Sequence, residues 1–458
     1  WACLDTLNRL MSVDLRPAYY PAEEIRRAID TAYQQRENQA ESLIGDLEEP
    51  SLSDEINQLA SREDLLDDNG RAPMIRVVNA LLFEAVRAAA SDVHIQPYGD
   101  GTSIRFRVDG ILSDTLTLPR AAHEGLVSRV KIMGRMNIAE KRLPQDGRAS
   151  VSVGDRVIDL RVSTVPTNYG ERIVLRLLDK GARRYTLDEL GMDARSHSLF
   201  SRLIQAEHGL ILVTGPTGSG KSTTLYGALN QINSAQLNVL TLEDPIEYEL
   251  RGISQMQVSD KKGMTFAKGL RSVLRQDPDI IMVGEIRDRE TAELAIQAAL
   301  TGHLVFSTLH TNDSSSAVTR LLDLGIEPYL VSSSLLGIMA QRLVRRVCRD
   351  CGEDSPWPAE SMARLGVPPG GGSPPVFRTG AGCDRCRGTG YRGRLGVFEF
   401  LRINDAIRAL IQRQASAAEL KAAAKSTGME TLRDDGMDKI FRGLTTPDEV
   451  LRVTAEGV

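Results

Sequence analysis

The chain has few cysteines and few aromatic side chains: five Cys, and 5% Phe, Trp and Tyr, in 458 residues. So few thiols exclude a disulfide-stapled secreted scaffold. Long apolar runs are missing as well. None reaches the roughly 18–20 residues that a membrane span needs, and the longest, around Leu330–Ala340, is short and contains three serines. Nor is there a basic surplus. Lys and Arg number 56 against 61 Asp and Glu, a formal net charge of −5, which argues against a broadly basic nucleic-acid coat protein. The N-terminus lacks the basic start and apolar stretch of a secretory leader. It begins with Trp1 rather than Met, so we expect further sequence upstream. What remains is ordinary soluble composition, 41% hydrophobic and 26% charged. At roughly 150 residues per domain the length suggests about three domains. The expectation is a cytoplasmic, multidomain α/β protein.

Charge is unevenly distributed. Residues 22–70 carry fourteen acidic and four basic side chains, a net of −10, so that 71–458 sum to about +5. An acidic, aromatic-poor stretch with Pro50, Ser51 and Ser53 reads as a partly helical linker. From Pro73 the texture changes. Ile75, Val78, Leu81, Leu82 and Val86 recur at helical spacing. Short strand signals follow at 93–95, 103–108 and 111–118, the last two joined by the hairpin pair Asp109-Gly110. A helix over 121–138 and strands near 149–153, 157–163 and 172–178 complete a small α+β domain. From His208 strands and helices alternate to about 345, which implies a parallel sheet covered by helices. Residues 346–394 are rich in Gly and Pro and hold four cysteines, and after Val397 the pattern is helical.

One loop carries most of the chemistry. The apolar strand 210–214 runs into Gly215, Pro216, Thr217, Gly218, Ser219, Gly220, Lys221 and Ser222, and Thr223 opens a helix. The spacing G-x-x-x-x-G-K-S is that of a phosphate-binding loop. Its glycines let backbone N–H groups face the phosphates, and the helix N-terminus adds positive partial charge. Lys221 is expected to reach the β- and γ-oxygens of a nucleotide, and the Ser222 hydroxyl to ligate Mg²⁺. A second buried strand, 279–283, ends in Gly284-Glu285, a place from which a carboxylate can hold Mg²⁺ through water or orient the attacking water. Thr241–Tyr248 sets Glu243, Asp244 and Glu247 around Pro245; Glu243 is the candidate for positioning water, with a plain acidic turn as the alternative. His303 and His310 flank a third buried strand. The residues alone leave open whether they are satisfied core histidines or groups that sense a γ-phosphate.

Cys348, Cys351, Cys383 and Cys386 form two C-x-x-C pairs 31 residues apart. Two such pairs are Zn²⁺ ligands far more often than redox pairs, and four thiolates close the shell, so the metal is expected to be structural. Gly352 and Gly388 would supply the turns. Cys3 is left over and is expected to be buried.

Taken in order, Gly215–Ser222, Thr241–Tyr248, Ile280–Asp288 and Thr301–His310 resemble the Walker A, Asp box, Walker B and His box of the secretion ATPases. The type II secretion branch is the most similar, and the type IV pilus assembly ATPases are its cousins. The strings Ala90–Ile95, Arg105–Gly110, Leu143–Arg148 and Arg161–Thr164 are also family-like. The resemblance implies a RecA-like P-loop ATPase domain preceded by a smaller, PAS-like α+β domain, with a zinc-binding insertion and a helical C-terminus. The segments it implies are a remnant of an N-terminal partner-binding domain (1–35), an acidic linker (36–70), the small domain (71–178), a connection (179–196), the ATPase domain (197–345), the tetracysteine subdomain (346–394) and C-terminal helices (395–458).

The resemblance also implies roles. Glu285 would be the Walker B glutamate and Glu243 the Asp-box glutamate, with His303 and His310 coupling nucleotide state to conformation. Arg161 and Arg176, on strands of the small domain, and Arg271 and Arg275, four apart on a predicted helix, would pair with phosphate oxygens; ordinary surface ion pairs are the alternative. The implied protein is a homohexameric motor using ATP, Mg²⁺ and Zn²⁺. It would lie against the bacterial inner membrane, with an inner-membrane platform and a bitopic membrane protein as partners and no stable nucleic-acid partner. Rival readings are a type IV pilus assembly ATPase and a nucleic-acid translocase; the low aromatic content and modest charge speak against the latter.

Overall fold

The structure, a computed structural model, describes residues 71–153, 156–179, 185–232, 235–259, 263–356, 359–367 and 377–454. The expected segments 1–35 and 36–70, and Cys3, lie outside the described residues. Two compact units divide at Glu84/Ala85, inside the helix Arg71–Arg87. The described part of the first unit is helical.

The second unit holds two large sheets. The first joins β1 (Ala90–Pro97), β2 (Gly101–Val108), β3 (Ile111–Pro119), β4 (Gln145–Val153), β5 (Arg156–Thr167) and β6 (Gly170–Asp179) in the order β3-β2-β1-β6-β5-β4, every neighbour antiparallel. The β2–β3 turn is where expected, with Asp109 at φ 50 and Gly110 at φ 86, the positive angles that such a two-residue turn requires. The helix Ala122–Met133 buries Leu126, Val127 and Val130 and ends at Gly134, short of the expected 138.

The second sheet joins β7 (Gly209–Thr214), β8 (Val239–Glu243), β9 (Ser254–Gln257), β10 (Ile280–Val283), β11 (Leu304–Leu309), β12 (Leu335–Val347) and β15 (Tyr391–Arg402) in the order β15-β12-β7-β11-β10-β8-β9. Side chains alternate between two cores, as a strand covered on both faces must. Leu210 and Leu212 lie in one core with Ile281, Val283 and Val305; Ile211 and Val213 lie in the other with Met282, Leu304 and Phe306. The expected parallel sheet holds from β9 to β12, but the edge strand β15 runs antiparallel to β12. Strand structure therefore continues through Val397 to Arg402, and the C-terminal helices begin only at Asp405. Leu395, Val397 and Leu401 are buried by β12 and the packed helices, which is why a segment read as helical is extended. Between β12 and β15 the short pair β13 (Gly352–Ser355) and β14 (Phe377–Gly380) carries the cysteine region.

Candidate functional site

The carboxyl ends of β7, β10 and β11 place three chain segments side by side. After β7 the backbone turns through Gly215 (φ 151), Gly218 (φ 78) and Gly220 (φ 88) into the helix Lys221–Gln231. Two of these glycines are required by close approach as well as by φ. A Cβ at Gly215 would lie 2.5 Å from the Gln341 carbonyl, and one at Gly220 2.9 Å from Gln341 Nε2. Lys221 folds back over the loop, 9% exposed, and its Nζ donates to the carbonyls of Gly215 at 2.8 Å and Pro216 at 3.2 Å. Burial brings its pKa down to about 8, with Glu285 pulling up and Arg342 pushing down. Ser222 and the loop residues Pro216, Thr217 and Gly218 are exposed, while Ser219 is buried.

Glu285 stands one glycine beyond β10. Its carboxylate pairs with Arg287 and, at 3.3 Å, with His310 Nε2. The expected Walker B acid, His310 and Lys221 therefore share one end of the sheet. His303 does not join them. Five residues of strand separate the ends of β11, about 17 Å at 3.3 Å per residue. His303 precedes the strand, and its Nδ1 lies 2.9 Å from the Ala298 carbonyl and 3.2 Å from Thr301 Oγ1. Within this chain it secures the turn after the helix Arg289–Leu300 rather than facing the loop.

Glu243 ends β8, 4% exposed. Its oxygens are taken up by three donors: Tyr226 OH, Thr241 Oγ1 at 2.6 Å and Gln255 Nε2 at 3.0 Å. Tyr226 OH also accepts from the Glu247 amide at 3.3 Å. Burial and the Glu243 carboxylate push the Tyr226 hydroxyl far up, so it remains a donor. In this geometry Glu243 braces the turn Asp244–Tyr248, with three of the roughly four hydrogen bonds a carboxylate accepts already made inside the chain.

The arginines divide. Arg161 and Arg176 face each other across β5 and β6. Burial lowers Arg161, while Glu247 and Asp244 favour its charge and Arg148 and Arg176 oppose it. Glu247 is raised by burial and held down by the same two arginines. The small sheet thus presents its arginines to the turn behind Glu243. Arg176 Nε also pairs with Asp92 Oδ1 at 2.9 Å. Arg271 and Arg275 do not share a helix face, because the helix Phe266–Val273 ends between them. Arg271 pairs with Glu290 at 2.5 Å, and Arg275 donates to the Arg271 carbonyl at 2.8 Å.

Several residues here escaped the sequence reading. Thr214 Oγ1 lies 2.7 Å from Thr311 Oγ1, and Gln341 Oε1 accepts from Thr224 Oγ1 at 2.7 Å. Arg342, next on β12, reaches the Asn312 carbonyl at 2.6 Å. The available signal was a pair of long polar side chains, Gln341 and Arg342, in the middle of an apolar run.

The four cysteines converge, all sulfurs within 4.8 Å of one another. Cys348 and Cys383 are 3.9 Å apart, Cys351 and Cys386 3.7 Å, and Cys383 and Cys386 3.7 Å. A disulfide would need about 2.05 Å, whereas a tetrahedron with Zn–S of about 2.3 Å has an edge of about 3.8 Å. The donor set thus fits Zn²⁺. The second knuckle is shaped by Arg387 and Gly388 at φ 53 and 74, with the Cys383 amide donating to Cys386 Sγ at 3.1 Å. Gly352 is needed for closeness: a Cβ there would lie 2.7 Å from the Cys348 carbonyl. The exposed Ser222 hydroxyl at a helix start, with the Glu285 carboxylate acting on Lys221, likewise fits Mg²⁺ on a nucleotide.

A parallel sheet bearing this glycine-rich loop after a central strand, with an acid and a histidine on adjacent strand ends, defines a RecA-type P-loop nucleotide-binding protein. The family model for the type II/IV secretion system proteins matches residues 67–452, and the chain belongs to that family. "Type II secretion system protein E" of Pectobacterium carotovorum subsp. carotovorum is 50% identical over 99% of this chain and 91% of its own length. "Type II secretion system ATPase E" of Vibrio cholerae is 50% identical over 94% of this chain and 86% of its own. Among solved structures, the pilus retraction motor PilT with bound ADP superposes with a TM-score of 0.55 at 27% identity, over 83% of this chain and 97% of that one. The Legionella pneumophila ATPase DotB superposes with a TM-score of 0.60 over 82% of this chain and 95% of that one, at 21% identity, a likeness of fold. No described helix is long and apolar enough to cross a membrane.

Proposed function

We propose that the chain is the cytoplasmic ATPase of a type II secretion system, hydrolysing ATP to ADP and phosphate to drive pseudopilus assembly and protein export as a homohexamer. The observation that carries this reading is the gathering of Lys221, Glu285 and His310 at one end of the sheet, around an intact phosphate loop. The loop amides and Lys221 hold the β- and γ-phosphates, and Lys221 leaves the Gly215 and Pro216 carbonyls to do so. Ser222 would hold Mg²⁺, whose charge would offset that of the transferring phosphoryl group. Glu285 orients the attacking water, with His310 and Arg287 fixing its carboxylate. Glu243 keeps the Asp244–Tyr248 turn in place for Arg161 and Arg176 of the small domain. Arg271 and Arg275 lie on the outer surface of the unit, where a neighbouring subunit's phosphates are the ligand they suit. The cysteines hold structural Zn²⁺, and the chain spans the domains 71–178, 197–345 and 346–394 in that scheme. The partners are an inner-membrane platform and a bitopic membrane protein, to which the motor attaches peripherally. The half-identical secretion relatives favour this branch over pilus assembly.

The test is steady-state ATP hydrolysis by wild type and Glu285→Gln. We expect at least about a hundredfold lower kcat with nucleotide affinity retained; equal rates would refute the assignment of Glu285.

A further inference from the structure

The phosphate loop rests against a strand that none of the recognised boxes contains. β12 passes behind it, and at its middle Gln341 and Arg342 turn their polar ends towards the loop. Arg342 is 8% exposed. Its Nη1 donates to the Gln341 carbonyl at 3.1 Å, and its Nη2 to the Asn312 carbonyl at 2.6 Å and to Asn312 Oδ1 at 3.4 Å. The same guanidinium presses on Gly215, where a Cβ would sit 3.1 Å from Nη1.

Two features set this arginine apart. It has no carboxylate within ion-pair distance among the described residues; Glu399 and Asp313 favour its charge only from further off. Glu399 is instead engaged by Ser314, whose amide and hydroxyl donate to it at 2.9 and 2.5 Å. A buried guanidinium served by carbonyls alone keeps an uncompensated positive charge, which is costly unless an anion completes it. The second feature is what its fork joins. Asn312 follows His310 and Thr311, the segment that touches Glu285 and Thr214, while Gly215 opens the loop that Lys221 caps. One planar group thus bonds the strand that backs Gly215 to the Asn312 turn, beside the two segments that would hold the ends of a triphosphate.

Resting on the nucleotide reading above, we propose that Arg342 is a positioning residue: its fork ties β12 at Gln341, against which Gly215 packs, to the Asn312 turn, and its charge adds to that of Lys221 at the phosphates. The two contributions separate in two variants. Arg342→Gln removes charge and fork; Arg342→Lys keeps the charge, but one ammonium cannot span both carbonyls.

The experiment measures Mg-ADP affinity by calorimetry, and kcat and KM for ATP, on the full chain, with Lys221→Ala as the control and thermal unfolding recorded without nucleotide. Charge-assisted contacts of this kind set the scale. Arg342→Gln should weaken Mg-ADP binding at least about tenfold and lower kcat. Arg342→Lys should return affinity to within about threefold of wild type while kcat stays at least about tenfold down. A residue that only supports the fold would shift unfolding without this split. Wild-type affinity in Arg342→Gln together with loss in Lys221→Ala overturns the proposal alone; wild-type affinity in both overturns the nucleotide reading beneath it. If Arg342→Gln does not fold, Arg342→Lys decides, since wild-type kcat in that variant overturns the fork.

Discussion

Replacing Tyr226 with Phe tests whether Glu243 works through its hydrogen bonds. The ring is fully buried and meets Tyr248 edge to face, centroids 4.6 Å apart, and Phe preserves that packing. What disappears is the donor to Glu243 and the acceptor for the Glu247 amide. A hydrogen bond to a charged group contributes about 1.5–3 kcal/mol. The buried carboxylate keeps Thr241 and Gln255, both on Oε1, and loses the Tyr226 donor on Oε2. We therefore expect a loss of about 2 kcal/mol, read as a fall in Tm of about 2–3 °C for a unit of this size. The kcat for ATP should fall with it, because the Asp244–Tyr248 turn that meets Arg161 loses its brace. The decisive assay is a double-mutant cycle with Glu243→Gln. If Tyr226 acts through Glu243, the two changes should be non-additive by at least about 1 kcal/mol. Additive effects, or an unchanged Tm in Tyr226→Phe, would refute the reasoning.

Two further outcomes follow from the geometry. Cys383→Ser, or chelation under reducing conditions, should release one zinc per chain and loosen 346–394 to proteolysis while leaving Mg-ADP binding intact; metal analysis finding no zinc in the reduced wild type would refute the site. Glu449 lies buried under Arg452 and Arg345, with Arg345 Nη2 at 2.8 Å. Burial would raise its carboxyl, but hydrogen bonds from Arg452, then Arg345, hold it down at about 2. A depressed carboxyl stabilises the fold above its unfolded value of about 4.3, and the gain fades as pH falls towards 2. Denaturant unfolding of Glu449→Gln should show a loss of at most about 3 kcal/mol at pH 7, with the gap to wild type narrowing below about pH 4.5; a gap independent of pH would count against the ion-pair account.

What the sequence showed clearly was chemistry held in short, contiguous strings. Gly215–Ser222, Glu285 after its strand and the two C-x-x-C pairs each carry their geometry in local spacing, and the alternation of β7 to β11 is legible because both faces of those strands are buried. Convergence across long separations was not legible. Tyr226, on the helix after β7, meets Glu243 at the far strand β8, and Arg342 meets Asn312 because strand order brings β12 beside β7, which lies beside β11; no local pattern records that order. The histidines show the same limit in one element: His303 and His310 look equivalent as text, but a strand has two ends, and only the carboxyl end carries the loop. Arg275 lies just beyond its helix because Val273 ends it, with Leu274 as the cap.

The small sheet carries one more consequence. Arg107, Asp92, Arg176, Arg161 and Arg148 stand directly opposite one another across β2, β1, β6, β5 and β4. Asp92 pairs with two of the four guanidinium groups in this file, Arg107 and Arg176, Glu247 and Asp244 favour the charge of Arg161 from the turn after β8, and cross-strand neighbours of like charge destabilise a sheet. Its stability should rise with multivalent anions more than with chloride, and polyphosphate should protect it where simple ionic strength does not. An anion that binds this file would compete with Glu247 for Arg161 and Arg176, the two guanidinium groups that hold its carboxyl down.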